Sequence, residues 1–172
     1  MAYRFQLITR KAAKLPPPKC QTLLPVAQAH GVAIHYSASG SPKNHADCYR
    51  SVQGIVRFHR EDRGWCDGAY SHIVCSHGKT FRIRGIGVRT AANGTNQSND
   101  RFYAVCYLGT DKPGRDDFTL EAEAEMAYLL HDLYLDKIGK EMQVKPHSAF
   151  TSTECPGDEI RAWIQRKPWL SV

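Results

Sequence analysis

"GVAIHYSA", residues 31–38, sets how the rest of the chain is read. Gly31 opens an apolar run, Val32-Ala33-Ile34, whose length and β-branched content suit a buried strand. The run ends at His35 and passes into small residues, so a histidine stands at the mouth of a sheet. "SGSPKN" after it is turn chemistry. In "ADCYRSVQGIVRFHRED", residues 46–62, Val52, Ile55, Val56 and His59 recur with helical spacing. Gly54 costs that helix about 1 kcal/mol relative to alanine.

Farther along, "YSHIVCS", a "HGK" turn and "TFRIRG" read as a hairpin, "NGTNQSND" as a polar loop and "RFYAVCYLG" as another strand. The clearest element is "TLEAEAEMAYLLHDLYLDKIG", residues 119–139. Ala122, Met126, Leu129, Leu130 and Leu133 form the apolar stripe, Thr119 is a candidate N-cap and Gly139 a stop. "PGDEIRAWIQRK" closes the chain as a helix, with Asp158 and Glu159 in its first turn and Arg166 and Lys167 in its last. Residues 1–30 read as a loosely structured arm, since the prolines of "LPPPK" cannot lie inside a helix. Interleaved strands and helices predict a mixed α/β fold: one compact domain, the arm 1–30 followed by 31–172, with a central mixed β-sheet flanked by helices.

A chain of 172 residues buries enough surface for one core without covalent staples. It has no apolar run of membrane-spanning length, and "MAYRFQLITRKAAKL" lacks the apolar segment of a secretory signal. The expectation is a protein made in the cytoplasm, without membrane insertion. The net charge of +6 points to a polyanionic partner, either nucleic acid or an anionic cell-wall polymer. The basic residues are dispersed and no aromatic-rich RNA-binding signature accompanies them, so no nucleic-acid partner is expected. Six cysteines stand at 20, 48, 66, 75, 106 and 155 with no Cys-x-x-Cys among them, which excludes a zinc ribbon. Cys75 and Cys106 lie in strand-like runs and read as small buried hydrophobes. Disulfides are neither required nor ruled out.

"HSAFTSTECPG", residues 147–157, carries the chemistry. Cys155 precedes a helix read as starting near Pro156, where backbone N–H groups and the dipole are expected to lower the thiol pKa. His147, eight residues earlier, is within reach of it. A catalytic zinc takes three protein ligands and one water, and His35 is the third candidate. His59 reads as a core residue, His77 as a turn residue, and His30, His45 and His131 as surface residues. The pair also fits a cysteine hydrolase, with Cys155 as nucleophile and His147 as base.

"AIHYSAS", "HREDRGWCDGAYSHIV", "GKTFRIRG", "NGTNQSN" and "HSAFTSTECPG" occur in this order. Together they resemble the zinc-dependent N-acetylmuramoyl-L-alanine amidases, a family that includes peptidoglycan recognition proteins and amidase-type phage lysozymes. The resemblance spans roughly residues 5–165. It implies one zinc ion per chain, held by His35, His147 and Cys155. It further implies catalytic roles for Tyr70 and Thr153, with Trp65, Arg84 and Asn96 as substrate-binding candidates. The implied reaction is hydrolysis of the amide between N-acetylmuramic acid and L-alanine in peptidoglycan, by a monomer. The implied setting is the amidase domain of a phage endolysin, made in the host cytoplasm and acting on the bacterial wall; a cytoplasmic recycling enzyme is the other setting. A recognition domain that binds muropeptide without cutting it is the rival from the same family. The chain departs from the family pattern at Tyr36, Ala69, Ser71 and Ala92. It also has Cys106 where some relatives carry a glutamate.

Overall fold

The computed structural model describes residues 5–110, 118–139 and 141–172. Six strands, β1 (Leu7–Ile8), β2 (Gly31–Tyr36), β3 (His72–Cys75), β4 (Lys79–Arg82), β5 (Phe102–Leu108) and β6 (Gln143–Pro146), form one mixed sheet in the order β1-β4-β3-β5-β2-β6. The β3–β4 hairpin is antiparallel and the other pairs are parallel. Helix α1 (His45–Arg57) and the arm residues Ala13 and Leu15 lie on one face, and α3 (Leu120–Leu129), α5 (Asp158–Arg166) and the arm residues Leu24 and Ala29 on the other.

Central β5 is buried at every position, as a strand covered on both faces must be. Its side chains alternate between two cores. Tyr103, Val105 and Tyr107 join Ile34, Met126, Leu129, Leu130 and Trp163 on the α3 side. Cys106 and Leu108 join Ile73, Phe81, Val52 and Val56 on the α1 side. Helix α3 starts as its sequence demands: the Thr119 hydroxyl accepts the Ala122 N–H at 3.2 Å. It runs on through a π-helical stretch, Leu130–Leu135, into the short α4 (Asp136–Ile138) and stops at Gly139, whose φ is +97°. None of the helices is long and apolar enough to cross a membrane, among the described residues.

The arm is not loose. Strand β1 pairs with β4, and the Gln6 N–H donates to the buried Glu125 carboxylate at 3.0 Å, as does the Thr80 hydroxyl at 2.7 Å. Arg10 pairs with Asp67 at 2.7 Å, the Gln53 amide donates to the Ala13 carbonyl, and Cys20 is bonded to Cys66. The prolines do exclude helix there, but tertiary partners supply the order that local propensity withholds. A second disulfide, Cys48–Cys75, ties α1 to β3, so Cys75 is not a free buried thiol.

Two further elements were unexpected. The polar loop 93–100 contains one helical turn, α2 (Asn96–Asn99), started by a reciprocal cap between Thr95 and Ser98. Strand β6 is short, partly exposed and ends in a proline, which only an edge position tolerates. It approaches β2 so closely that a Cβ on Gly31 would lie 1.8 Å from the Gln143 carbonyl oxygen.

Candidate metal centre

Strand register brings the first two candidate ligands together. In the parallel β2–β6 pair, Ile34 lies opposite Pro146. One residue on, His35 in β2 and His147 just past the end of β6 stand abreast, with ring centroids 4.3 Å apart. His147 opens a single 3₁₀ turn, His147–Ala149, which carries the chain toward Cys155. The Cys155 sulfur returns to the end of β2, accepting the Tyr36 N–H at 3.3 Å and lying 3.9 Å from His35 Nδ1. The ligand atoms of His35, His147 and Cys155 all fall within 4.8 Å of one another, and no other such group of metal-binding side chains occurs among the described residues.

These residues fit a metal ion on two counts. The first is an orphaned nitrogen: His147 Nε2 is buried without a hydrogen-bond partner among the described residues, a costly arrangement unless something else takes its lone pair. The second is geometry. Zinc bonds of about 2.0–2.3 Å in a tetrahedron set nitrogen and sulfur roughly 3.6 Å apart. The observed 3.9 Å closes to that with a shift of a few tenths of an ångström.

Asn93 completes the surroundings of His35. Its carboxamide oxygen accepts from His35 Nε2 at 2.9 Å, which leaves Nδ1 as the lone-pair nitrogen facing Cys155. The amide cannot turn round, because its nitrogen donates to the Phe102 carbonyl at 2.8 Å and its backbone N–H to the Asn99 side chain at 3.0 Å. Asn93 is fully buried and was not among the expected site residues. The capped turn after it, Thr95 to Ser98, was the available signal, since Ser98 donates back to the Asn93 carbonyl.

Burial, aided by His147, pushes His35 down to about 3, while the Asn93 bond opposes the shift. Burial also lowers His147. Both imidazoles are therefore neutral, as metal ligands must be. The thiol departs from expectation: burial pushes Cys155 up to about 11, against the Tyr36 N–H and Arg161. Helix α5 begins at Asp158 with Gly157 as its cap, not at Pro156, so Cys155 lies outside the first turn whose dipole was expected to act on it. A coordinating metal ionises a thiol outright.

The other expected residues fall into two groups. Tyr70 and Thr153 are at the cluster. The Tyr70 ring lies 5.5 Å from that of His35, and its hydroxyl is hydrogen-bonded to Cys106, the residue paired with His35 in register. Burial first, then the neighbouring thiols, raises Tyr70 well above its ordinary value. The Thr153 hydroxyl accepts the Cys155 N–H at 3.2 Å. Trp65, Arg84 and Asn96 are tied to other partners. Trp65 stacks on His59 at 5.0 Å. The Arg84 guanidinium donates to the Gly68 and Arg89 carbonyls at 2.6 and 2.7 Å. The Asn96 side chain accepts from Arg89 at 3.0 Å.

No family model matches the chain. It is similar to peptidoglycan-recognition protein SC2 of Drosophila melanogaster, 27% identical over 138 residues, which are 78% of this chain and 73% of that protein. It is also similar to peptidoglycan recognition protein 1 of Bos taurus, 25% identical over 80% of this chain and 71% of that one. Among solved structures, Drosophila peptidoglycan recognition protein SD has the same fold, with a TM-score of 0.85 over 95% of each chain at 21% identity. Peptidoglycan recognition protein LE, solved with tracheal cytotoxin, a monomeric diaminopimelic acid-type peptidoglycan, gives 0.85 over 95% of this chain and 94% of that one at 25% identity. The homologues of this chain are thus peptidoglycan recognition proteins, and its fold is theirs.

Proposed function

We propose that this protein is a zinc-dependent N-acetylmuramoyl-L-alanine amidase acting on peptidoglycan. The observation that carries the reading is the convergence of His35, His147 and Cys155, with the buried Nε2 of His147 lacking a hydrogen-bond partner among the described residues. Two imidazoles and one thiolate are a zinc donor set that leaves a coordination position open. The likeness to a protein solved with a peptidoglycan fragment supports the substrate class.

Zinc bound there supplies a Lewis acid and an acidified water, the two things amide hydrolysis needs. The chain's own residues do the rest. Asn93 fixes His35 in one tautomer and one orientation. The Tyr36 N–H and the Thr153 hydroxyl hold the Cys155 segment from both sides. Burial keeps Tyr70 protonated at neutral pH, and its hydroxyl, on exchanging its bond to Cys106, would donate to the oxyanion of the tetrahedral intermediate. Among the described residues no carboxylate belongs to the cluster, so the proton-transfer and oxyanion roles fall to Tyr70 and Thr153.

The setting is inferred to be the wall rather than the cytoplasm. Cys20–Cys66 and Cys48–Cys75 do not persist in a glutathione-reduced compartment, which disfavours muropeptide recycling there and agrees with a lytic enzyme of the phage-lysin kind. The test measures metal content and release of L-alanine-terminated stem peptide from walls, before and after chelation and zinc restoration. About one zinc per chain, with activity lost and then regained, is expected. Lysis that survives chelation but stops with a thiol reagent would transfer the chemistry to Cys155 as nucleophile. Zinc and muropeptide binding without cleavage would make the protein a recognition domain.

A further inference from the structure

A second site lies on the outer side of α1, away from the metal cluster. Where the arm crosses the helix there is a cleft of about 500 Å³, lined by Lys14, Arg50, Gln53, Gly54 and Arg57. None of these residues belongs to the metal cluster. The buried face of α1 is Cys48, Val52 and Val56, so the lining residues form the opposite, outward stripe. Among the described residues, the lining holds three cations and no acid. Asp47, one turn back, pairs with Arg50 from outside the cleft, while Lys14 and Arg57 form no ion pair with any described residue. The walls are fixed relative to each other, because Gln53 holds the Ala13 carbonyl at 3.0 Å and Arg10–Asp67 and Cys20–Cys66 anchor the arm on either side.

Two lining positions run against local preference. Gly54 sits inside a helix, where alanine is favoured, yet a Cβ there would meet nothing within 4 Å. Packing does not require glycine; its effect is to leave the cleft floor open. Lys14 has φ +53°, a conformation that glycine or asparagine adopts more readily. A lysine stands there all the same, and it puts a cation on the wall facing the two arginines.

We propose that this cleft binds the phosphodiester backbone of an anionic cell-wall polymer. Arg50 and Arg57 are two helical turns apart, about 10 Å along the axis, a span suited to successive groups of a polyanionic chain. A phosphodiester carries its charge on two non-bridging oxygens and repeats it at every unit of the chain, which suits cations presented by both the helix and the arm. The choice of a wall polymer over nucleic acid rests on the wall-lytic reading above.

The experiment is co-sedimentation of the full chain with purified Gram-positive walls, either native or stripped of phosphodiester polymer with hydrofluoric acid. Soluble poly(glycerol phosphate) and duplex DNA serve as competitors. Native walls are expected to bind at least tenfold more tightly than stripped walls. Arg50→Gln/Arg57→Gln, and separately Gly54→Glu, should abolish that difference while hydrolysis of a small soluble muropeptide stays unchanged. Equal binding to both kinds of wall, undiminished binding by the double variant, or competition by DNA more effective than by poly(glycerol phosphate) would overturn the proposal. If the wild type fails to hydrolyse muropeptide yet shows cleft-dependent wall binding, the amidase reading falls and the cleft stands.

Discussion

Replacing Asn93 with alanine tests whether the centre is built for a metal or merely contains three suitable residues. The side chain makes one bond that bears on the metal, from His35 Nε2 at 2.9 Å, and others that hold the loop, to the Phe102 and Ser98 carbonyls at 2.8 and 3.4 Å. Loss of the loop bonds costs stability in apo and zinc-loaded protein alike, about 1–3 kcal/mol for buried groups left unpaired. The His35 bond behaves differently. It strengthens when the ring is polarised by a metal, and without it His35 can rotate or present its other nitrogen. Partners of this kind are typically worth about 10–100-fold in metal affinity, or roughly 1.4–2.7 kcal/mol. Asn93→Ala should therefore weaken zinc binding by one to two orders of magnitude, over and above its effect on apo stability. Chelator competition gives the first quantity and urea unfolding of the apo protein the second. Zinc affinity within twofold of wild type, alongside a clear loss of apo stability, would show that Asn93 only supports the loop.

Other outcomes follow from features outside the cluster. His72 is buried against the Tyr134 hydroxyl at 2.6 Å, and burial, with help from Arg82, holds it down to about 3. Its folded pKa lies below its unfolded value, so its contribution is intact above about pH 6.5 and is lost as pH falls toward 3. Roughly 3 kcal/mol should go by pH 4.5, and His72→Gln should flatten the pH dependence of urea unfolding by that amount; an unchanged slope would refute it. The Cys20–Cys66 bond closes a span of 46 residues, for which chain entropy gives up to about 4 kcal/mol. Cys20→Ser/Cys66→Ser should lower the denaturant midpoint accordingly, and an unchanged midpoint would mean that the arm is held by its polar contacts alone. Gly31→Ala drives a methyl group into the Gln143 carbonyl and should part β6 from β2. Because His147 directly follows β6, zinc affinity and stability are expected to fall together; a stability loss with zinc binding intact would separate the ligand from the strand.

The strands and helices that the sequence revealed are those whose local pattern coincides with their burial. β2 and β5 are apolar runs, and α3 has a threonine cap, an apolar stripe and a terminal glycine. What escaped was order supplied from elsewhere in the chain. β6 reads "QVKP", a polar edge strand that exists because β2 offers it a partner. The arm is fixed by Glu125, Asp67 and Cys66, the nearest of them some fifty residues away, and no local window contains such information. Cys48 and Cys75 belong to α1 and β3, and they meet only once the helix is packed on the sheet.

The same distinction explains which parts of the centre were legible. Residue type and spacing suffice to single out His147 and Cys155, which share one loop, and the end of a buried strand singles out His35. Their meeting depends on β6, whose register of Ile34 against Pro146 puts the two histidines side by side. A shift of that pairing by one residue would turn His147 to the opposite face of the sheet. The close approach at Gly31 locks the strands against such a shift, since it brings the Gln143 carbonyl to where any larger residue would need room. The glycine that opens β2 is therefore as much a condition of the metal centre as the histidine four residues after it.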